Sequence, residues 1–469
     1  MKIILIIPDG VVVRNYLYSN FVNELTHKGF EIYVFHQIPK PAVKEIELIT
    51  NSIKEFHFIP FFKEPALART IREIVVYARL LYNKKMLQNE TIMYFWNNNK
   101  KGFKRKILAN VSETVGYLLS KSYKTIVYLE KVYDRLMIKT SVYQDVGKKI
   151  MEINPDVVLN LHQRSTVSSP IVAFCNSNSI PSSTVIYSWD NVPKARLISR
   201  YDHYFTWSDL MKRELLTLYP EIKEPQVKVT GTPQFEFYFE EKYKKTKADF
   251  FKQYNLDVSK KTVCYSANDT SSPYEVTYFS DVCEAIDSMA ADEKPQIIFR
   301  RNPFDKSNRF KSILEQYKHL ITEVDPDWRT ENPDDKDFVT IFPTLNDIQL
   351  LVNTVLHSDV VINIGSTMAH DFAVMNKPCL YLNYDPVAAS RLPVKDVYDF
   401  QHFRSMKNLE AVGWINSKSE IIQKISIALN RPETIAKDKN KWMEIIVQHP
   451  LDKNSANLAN EIKAICTSV

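Results

Sequence analysis

The chain has 469 residues, 45% of them hydrophobic and 25% charged, which is ordinary for a folded protein of two or more domains and excludes a disordered chain. The net charge is only +6, and the five cysteines are far apart, with no CxxC pair and no histidine at zinc-ligand spacing, so neither a disulfide framework nor a structural metal is expected. The apolar run before Pro8 is too short for a signal-peptide core and no later run could span a bilayer, so the sequence predicts a cytoplasmic protein.

The first elements follow the alternation of an α/β protein. Residues 2–7 have a buried-strand pattern, residues 16–25 a helical one, and residues 31–35 a strand pattern again. Asp9 and Gly10 lie in the turn after the first strand and are candidates for contact with a ligand, although an ordinary turn explains Asp9 equally well. Glycine is scarce, with eight in the chain, and Gly10, Gly231 and Gly365 each follow closely on a strand pattern. In α/β sheets that edge is where ligands bind.

Residues 63–149 combine long helical patterns with concentrated positive charge. The stretch holds eighteen Lys and Arg residues against seven Asp and Glu, a balance of +11, so the rest of the chain sums to −5. We interpret it as a basic helical insertion in a first domain of residues 1–240. Its densest cluster suits an anionic membrane face, while a solvated helix face explains it equally well, and no nucleic-acid motif accompanies it. The cluster consists of Lys100, Lys101, Lys104, Arg105 and Lys106.

Four more strand patterns complete the first domain, at residues 156–161, 183–187, 202–205 and 227–230. His162 follows the first of these strands directly, and Asp190 and Asn191 lie just beyond the second. These side chains therefore lie at strand ends, which is the edge of an α/β sheet where ligands bind. Lys194 can neutralise a phosphate there, and a plain surface lysine is an equal explanation.

A second domain of residues 241–450 repeats the rhythm. Strand patterns occur at residues 262–266, 296–299, 339–342, 360–364 and 379–383, with a helix beginning at residue 346. Arg300 and Arg301 follow the second strand, and guanidinium groups match phosphate oxygens well, so we expect one of them to face a ligand. Residues 451–469 form a last helix that we expect to pack back toward the first domain.

The stretch 359–385 has the pattern of a strand, a turn and a helix. Gly365 allows close approach to the backbone, and Ser366 and Thr367 lie where a helix begins with unpaired N–H groups, which suits a phosphate. Asp371, one turn further on, can meet a ribose or sugar hydroxyl, although a solvent-facing position is the simpler explanation. The stretch therefore predicts a phosphate-binding turn.

At this point the motifs resemble a known family. The runs SWDNVPK at residues 188–194, YDHYF at 201–205 and VTGTPQF at 229–235 look like the first domain of bacterial GT-B glycosyltransferases that build surface polysaccharides. The RRNP turn at residues 300–303 and the run GSTMAHDFAVMNKPCLYLNYD resemble the second domain. The resemblance covers about residues 150–390. The chain is also similar to the teichoic-acid glycerophosphotransferases, which have the same architecture. It implies an α/β protein of the GT-B class, with two Rossmann-like domains facing across a cleft.

What the resemblance implies for function is an inverting, metal-independent sugar transfer from a nucleotide-activated donor. The acceptor would be a surface polysaccharide, a lipopolysaccharide or a lipid-linked glycan, and the nucleotide sugar serves as a co-substrate in place of a cofactor. Asp190 is the first candidate for the base and His162 the second. The donor would contact Arg300, Arg301, Gly365, Ser366, Thr367 and Asp371, and the acceptor would contact Asp9, Gly10, Asn191 and Lys194.

Three alternatives stay open. The glycerophosphotransferases have a histidine in a Trp-His-Gly-Thr-Pro motif where this chain has Asp190, which argues against polyol-phosphate transfer without excluding it. A nucleotide-sugar 2-epimerase would use the same fold. A non-catalytic glycan-binding scaffold could keep the fold without turnover.

Overall fold

The computed structural model describes residues 1–96, 102–330, 341–387 and 392–467. Its first sheet is built from β1 (Lys2–Ile7), β2 (Glu31–His36), β3 (Ile53–Phe58), β4 (Val157–Asn160), β5 (Ser182–Val185), β6 (His203–Thr206) and β7 (Val227–Val229). The strands are parallel, in the order β3-β2-β1-β4-β5-β6-β7. Residues 3–7 are fully buried, because a parallel sheet is covered on both faces and its central strands are apolar throughout.

The second half contains β8 (Thr262–Ser266), β9 (Gln296–Arg300), β10 (Ile321–Glu323), β11 (Trp328–Thr330), β12 (Ile341–Pro343), β13 (Val360–Asn363), β14 (Cys379–Leu382) and β15 (Gly413–Ile415). Six of them form a second parallel sheet in the order β10-β9-β8-β13-β14-β15. The remaining two, β11 and β12, pair antiparallel as a separate ribbon. Each large sheet has its strand order reversed about its first strand, which is the arrangement that leaves a crevice at the carboxyl ends.

Helices cover the sheets of both halves. Those of the first half are α1 (Phe21–His27), α2 (Lys40–Ile49), α3 (Ala66–Leu87), α4 (Phe103–Leu119), α5 (Tyr123–Met137), α6 (Ser141–Ile153), α7 (Ser169–Ser177) and α8 (Asp209–Leu218). Those of the second half are α9 (Lys247–Gln253), α10 (Glu275–Asp287), α11 (Lys311–Gln316), α12 (Leu345–His357), α13 (Met368–Val374), α14 (Val394–Tyr398), α15 (Ile421–Asn430), α16 (Lys439–Ile446) and α17 (Asn454–Thr467). Within the described ranges, no helix is long and apolar enough to cross a membrane.

The helices α3 to α5 and most of α6 lie within residues 63–149, which we interpreted as an insertion. Arg79 of α3 is 1% exposed and donates from Nε and Nη2 to the carboxylate of Glu130 on α5, at 2.5 and 2.8 Å. Its Nη2 also reaches Glu221, beyond α8, at 3.1 Å. This buried ion-pair network joins α3 and α5 of the inserted region to the segment that follows α8.

Two predicted elements differ from the structure. The helix predicted over residues 16–25 is broken into a π-helical turn, Val13–Leu17, and α1, with a bend at residues 18–20. The strand predicted at 339–342 is described only from Ile341 onward, where it forms β12 and pairs with β11 outside the large sheet. The strands β3, β10 and β15 were not predicted, because they are edge strands that are short or carry charged residues and lack a buried apolar run.

Candidate functional site

Two adjoining cavities lie between the large sheets. The large cavity, of about 1020 Å³, is lined mainly by the first half, and the small cavity, of about 270 Å³, mainly by the second. Gly365, which follows β13, and Asp190, which follows β5, both line the small cavity. The two regions that the sequence singled out therefore face one crevice. Residues common to both cavities are Phe95, Asp190, Lys194, Asp269 and Asn302.

The loops after β1 and β4 bring Asp9 and His162 together on the wall of the large cavity. The Asp9 carboxylate Oδ2 lies 2.6 Å from His162 Nδ1, and Asp9 Oδ1 accepts from the backbone N–H of Val11 at 3.2 Å. A carboxylate at Nδ1 holds the proton there, so that Nε2 is the basic nitrogen. The His162 side chain is 17% exposed. The pair therefore has the arrangement of an oriented general base.

Asp190 and Lys194 form an ion pair across one helical turn after β5. Burial by itself would raise the pKa of Asp190, but the nearby Lys194 ammonium outweighs it and holds the pKa of this carboxyl well below its usual range. The other oxygen, Oδ1, accepts from Asn191 Nδ2 at 2.7 Å. A carboxylate stabilised in this way is a weak proton acceptor, so the geometry favours His162 over Asp190 as the base.

Asn191 and Gly10 have packing roles beside the cavity. Asn191 is 4% exposed, and its Oδ1 accepts from Gln163 Nε2 at 3.1 Å, which links the loops after β4 and β5. A Cβ at Gly10 would lie 2.0 Å from the carbonyl oxygen of Ile341, so Gly10 permits close approach of the two halves. Asn191 lines the large cavity, whereas Gly10 lies against β12.

Neither predicted arginine after β9 lines the two cavities. Arg300 is buried and donates from Nη2 to Asp347 Oδ1 at 2.9 Å, so its charge is neutralised inside the second half. Arg301 donates to the Ser307 carbonyl at 3.1 Å and to Glu323 at 3.2 Å. The strand-end position was read correctly from the sequence, but the following residues, Asn302 and Phe304, are the ones that line the large cavity.

The turn after β13 is held mainly by its own hydrogen bonds. Ser366 donates its backbone N–H to Asn363 Oδ1 at 3.0 Å, and its Oγ accepts from the backbone N–H of Met368 at 3.4 Å. Thr367 is exposed, and Asp371 accepts from the Tyr238 hydroxyl at 2.8 Å, a contact that joins the two halves. Of the predicted residues on this stretch, Gly365 is the one that lines a cavity.

His370, on α13, lies in an aromatic cluster and lines neither cavity. It is 1% exposed, its ring is 4.7 Å from that of Trp189 and 4.3 Å from that of Trp442, and neither ring nitrogen has a described partner. Burial lowers the pKa of His370 to about 3. A neutral, enclosed imidazole supports the loop that carries Asp190 and does not meet a ligand.

Several cavity residues were not singled out from the sequence. Arg309 donates to the carbonyls of Asn268, Asp269 and Ser272 at 2.7 to 2.9 Å and so shapes the loop after β8. That loop and the segment 394–403 line the small cavity with hydroxyl groups and aromatic faces. Some of these cavity residues, such as Asp269, Asn302 and Arg164, follow closely on a strand and could have been found from the rule that ligands bind at the carboxyl ends of strands. Those on α3 and on the segment 394–403 carry no such signal in the sequence. The cavity residues that were not singled out include Ser271, Ser272, Tyr274, Tyr278, Phe400, His402 and Phe403 in the small cavity and Arg69, Arg72, Arg164, Tyr187 and Arg196 in the large one.

The basic cluster falls partly inside the described chain. Lys100 and Lys101 lie outside the described residues, whereas Lys104, Arg105 and Lys106 are exposed at the start of α4. Arg105 also lines the large cavity. Among the described residues, no three His, Cys, Asp or Glu side chains are grouped so as to hold a metal ion.

Comparison with known proteins gives similarity at the level of structure. No family model and no curated protein matches the sequence. The putative UDP-N-acetylglucosamine 2-epimerase of Listeria monocytogenes superposes with a TM-score of 0.59 at 12% identity, over 100% of this chain and 97% of that one. The UDP-GlcNAc 2-epimerase of Methanocaldococcus jannaschii gives 0.56 at 12%, over 99% and 100%.

A protein described as a glycosyltransferase, from Rickettsia africae, is also similar, with a TM-score of 0.52 at 11% identity over 99% of this chain and 98% of that one. At such identities the likeness concerns the fold, and it extends over the whole chain. The fold class predicted from the motifs is thereby confirmed. The chain has the GT-B-type fold of these bacterial and archaeal enzymes, with two parallel-sheet α/β halves facing across a cleft.

Proposed function

We propose that the protein is a glycosyltransferase that moves a sugar from a nucleotide-activated donor to a hydroxyl of a glycan or lipid-linked acceptor. The observation that carries the proposal is the Asp9–His162 pair on the wall of the large cavity, which adjoins the small cavity at the ends of β8 and β13. The large cavity leaves space for a second substrate beside the donor.

In this mechanism, His162 Nε2 takes the proton of the acceptor hydroxyl while Asp9 holds the proton on Nδ1 and stabilises the imidazolium that forms. The acceptor oxygen attacks the anomeric carbon, the bond from that carbon to the nucleotide diphosphate breaks, and the anomeric configuration inverts. Lys194, at the junction of the cavities, offsets charge on the leaving diphosphate. The step needs no metal and no cofactor beyond the nucleotide sugar.

The small cavity is suited to the donor nucleotide. Phe400, Phe403 and Tyr274 present aromatic faces on which a base can stack, and Ser271 and Ser272 bring hydroxyl groups for ribose or phosphate. Gly365 closes this cavity from the side of β13. Arg300, Arg301, Ser366, Thr367 and Asp371 have no place in this arrangement, since none lines the cavity.

A second candidate is a nucleotide-sugar 2-epimerase, because several similar solved structures are UDP-GlcNAc 2-epimerases, among them the Neisseria meningitidis enzyme bound to UDP-GlcNAc. An epimerase changes the donor without an acceptor, so it would use the small cavity and leave most of the large one idle. Epimerised sugar formed in the absence of any acceptor would establish this candidate.

The experiment that tests the proposal begins with thermal-shift measurements against UDP-, GDP-, CDP- and CMP-sugars, since a ligand of the folded state raises its stability. The sugar that binds is then used to measure acceptor-dependent release of nucleotide. His162→Asn should lower the turnover about 10²- to 10⁴-fold while donor affinity stays near that of wild type. His27→Asn, at an exposed histidine of α1, is the matched control. Turnover of His162→Asn within a few fold of wild type would contradict the role of His162.

The site of action also stays a proposal. We propose a cytoplasmic protein that works at the inner face of the membrane, supported by the exposed Lys104, Arg105 and Lys106 at the start of α4. Exposed Phe103, at 79%, and Ile107, at 47%, lie on the same helix and add apolar contact.

A further inference from the structure

The large cavity carries more positive charge than its own carboxylates neutralise. Among the described residues, six cationic side chains line it against four carboxylates. The cationic residues are Arg69, Arg72, Arg105, Arg164, Lys194 and Arg196, and the carboxylates are Asp9, Glu73, Asp190 and Asp269. The excess lies on the arginines that have no carboxylate partner, because Glu73 and Asp190 pair with Arg72 and Lys194.

The engaged carboxylates can be assigned one by one. Glu73 pairs with Arg72 at 2.6 Å, and Arg72 also binds Glu64 at 2.8 and 2.9 Å. Asp190 pairs with Lys194, and Asp9 is held by His162. The last carboxylate, Asp269, accepts from a backbone N–H of its own loop at 2.8 Å.

Arg164 and Arg196 are the two half-buried arginines of this cavity that have no carboxylate partner among the described residues. Neither guanidinium makes a hydrogen bond or an ion pair with a residue in the described part of the chain, and both side chains are half-buried. Burial lowers the pKa of Arg196, and the neighbouring Arg164 and Arg72 act in the same direction, against Glu73. Burial also lowers the pKa of Arg164, against the charges of Asp190 and Asp9. Two partly buried guanidinium groups without a hydrogen-bonded partner are unfavourable, and a bound anion would relieve this.

We propose that Arg164 and Arg196 bind a phosphate group of the acceptor, so that the second substrate is a phosphorylated carrier and not a neutral glycan. Guanidinium groups bind phosphate oxygens in bidentate fashion, and two of them can hold one phosphate between them. Arg164 lies two residues after His162 on the loop that follows β4, which places the anion beside the base. This proposal rests on the proposed function and names the chemistry of its acceptor.

Two further arginines extend the same wall. Arg69 of α3 and Arg105 of α4 are exposed and line the large cavity from the inserted helices. They provide the entry side of the site, where a charged group arriving from solvent or from a membrane surface first meets the protein. In this proposal, part of the basic charge of residues 63–149 attracts the anionic substrate into the cleft, in addition to the part that faces solvent.

The test measures anion binding with the donor site filled. Wild type and the double variant Arg164→Gln/Arg196→Gln are titrated calorimetrically with inorganic pyrophosphate, inorganic phosphate and decyl phosphate, each with and without saturating UDP. We expect the wild type to bind pyrophosphate in the presence of UDP and the double variant to bind it at least about tenfold more weakly. Arg213→Gln, at an exposed arginine of α8, is the matched control and should bind as wild type does. Circular dichroism and melting temperature check that each variant is folded.

The outcomes separate the two proposals. Equal pyrophosphate affinity for wild type and double variant overturns the anion site, and so does a loss of UDP affinity as large as the loss of pyrophosphate affinity, because the arginines would then belong to the donor. Failure of every nucleotide to bind overturns the proposed function, while an arginine-dependent pyrophosphate affinity would still uphold the anion site. Decyl phosphate binding more tightly than inorganic phosphate indicates a lipid carrier, and equal affinities indicate a water-soluble sugar phosphate.

Discussion

At the scale of single residues, the choice of base depends on which neighbour each side chain has. Asp190 faces an ammonium that keeps it ionised, whereas His162 faces a carboxylate at Nδ1 that orients its ring and leaves Nε2 free to accept a proton. The same two candidates were available from the sequence. Their order changes because the partner of Asp190 is four residues away, while Asp9 is 153 residues from His162.

Substitution of Asp190 by asparagine measures this difference. The change removes the ion pair with Lys194 but leaves the Asp9–His162 pair in place, so we expect turnover to fall only about tenfold, in line with the loss of one charge-assisted hydrogen bond. Nucleotide release is measured beside His162→Asn under the same conditions. If Asp190→Asn lost as much turnover as His162→Asn, the result would contradict His162 as the base and favour Asp190 in that role.

The strand-end rule, by which ligands bind at the carboxyl ends of parallel strands, led to six residues that line the cavities, because these ends converge at one edge of a sheet. They are Asp9, His162, Asp190, Asn191, Lys194 and Gly365. The rule failed for Arg300, whose partner Asp347 lies 47 residues further along the chain and is fully buried. The spacing of residues in the sequence shows at which edge of the sheet a side chain lies. It does not show which distant residue forms a hydrogen bond or an ion pair with that side chain.

At the scale of elements, the last helix shows how a buried carboxyl can hold a junction. Ser455 at the start of α17 donates its backbone N–H and its Oγ–H to the two oxygens of Glu236, at 2.5 and 2.6 Å. Burial raises the pKa of Glu236 to about 7, although the Ser455 donors act to lower it. The helix also packs on α1. The sequence predicted that this helix packs back, but the carboxyl that receives it was not foreseen.

This pKa gives stability a definite pH dependence. Since the pKa of Glu236 is raised on folding, its contribution is fully present below about pH 4.5 and is lost as the pH rises through about 7, by at most ~1.4 kcal/mol per pH unit. Glu236→Gln keeps a neutral group that can still pair with Ser455. The free energy of unfolding of this variant should therefore increase relative to that of wild type between pH 4.5 and 8, because only the wild type is destabilised by ionisation at this position. Urea unfolding across this range measures the difference, which cancels the contributions of other groups. Glu241→Gln, at an 85% exposed side chain, is the control, and a parallel response of both variants would rule out Glu236 as the source.

The inserted helices present a similar limit of sequence analysis. The count of charges identified residues 63–149 as basic, and the charge is present on α3 and α4. The hydrophobic pattern of a helix shows which of its faces is buried, but it does not show which neighbouring element covers that face. The side of α4 that faces the cleft is set by packing of α4 on α3, so Arg105 could be assigned to the cavity only from the structure.

At the scale of the whole molecule, the two halves contact each other at several places, among them the Tyr238–Asp371 hydrogen bond, the region of β12 and the inserted helices. Near β12, the Tyr18 hydroxyl donates to the Pro343 carbonyl at 3.2 Å, and Glu45 accepts from the backbone N–H of Leu345 at 2.6 Å. Beside the inserted helices, Asn89 donates to the Asp399 carbonyl at 2.9 Å. Contacts at several places fix the distance between the halves, and with it the width of the cleft in which a donor and an acceptor would meet.

Gly10 is the position at which this distance can be altered with the smallest change. A Cβ there would lie 2.0 Å from the carbonyl oxygen of Ile341, and because a backbone oxygen cannot move away by a change of rotamer, Gly10→Ala must separate β12 from the turn after β1. We expect a loss of about 1–3 kcal/mol in the free energy of unfolding and a weaker thermal shift with the nucleotide sugar that binds wild type.

Gly29→Ala is the control for Gly10→Ala, since Gly29 lies in the same half and a Cβ there meets nothing within 4 Å. Its φ of +83° makes it costly to substitute by itself, by about 1–2 kcal/mol, so the two variants can lose comparable stability. They should differ in the ligand measurement, because only Gly10→Ala changes the width of the cleft. An undiminished thermal shift for Gly10→Ala would mean that the contact at β12 does not set the geometry of the site.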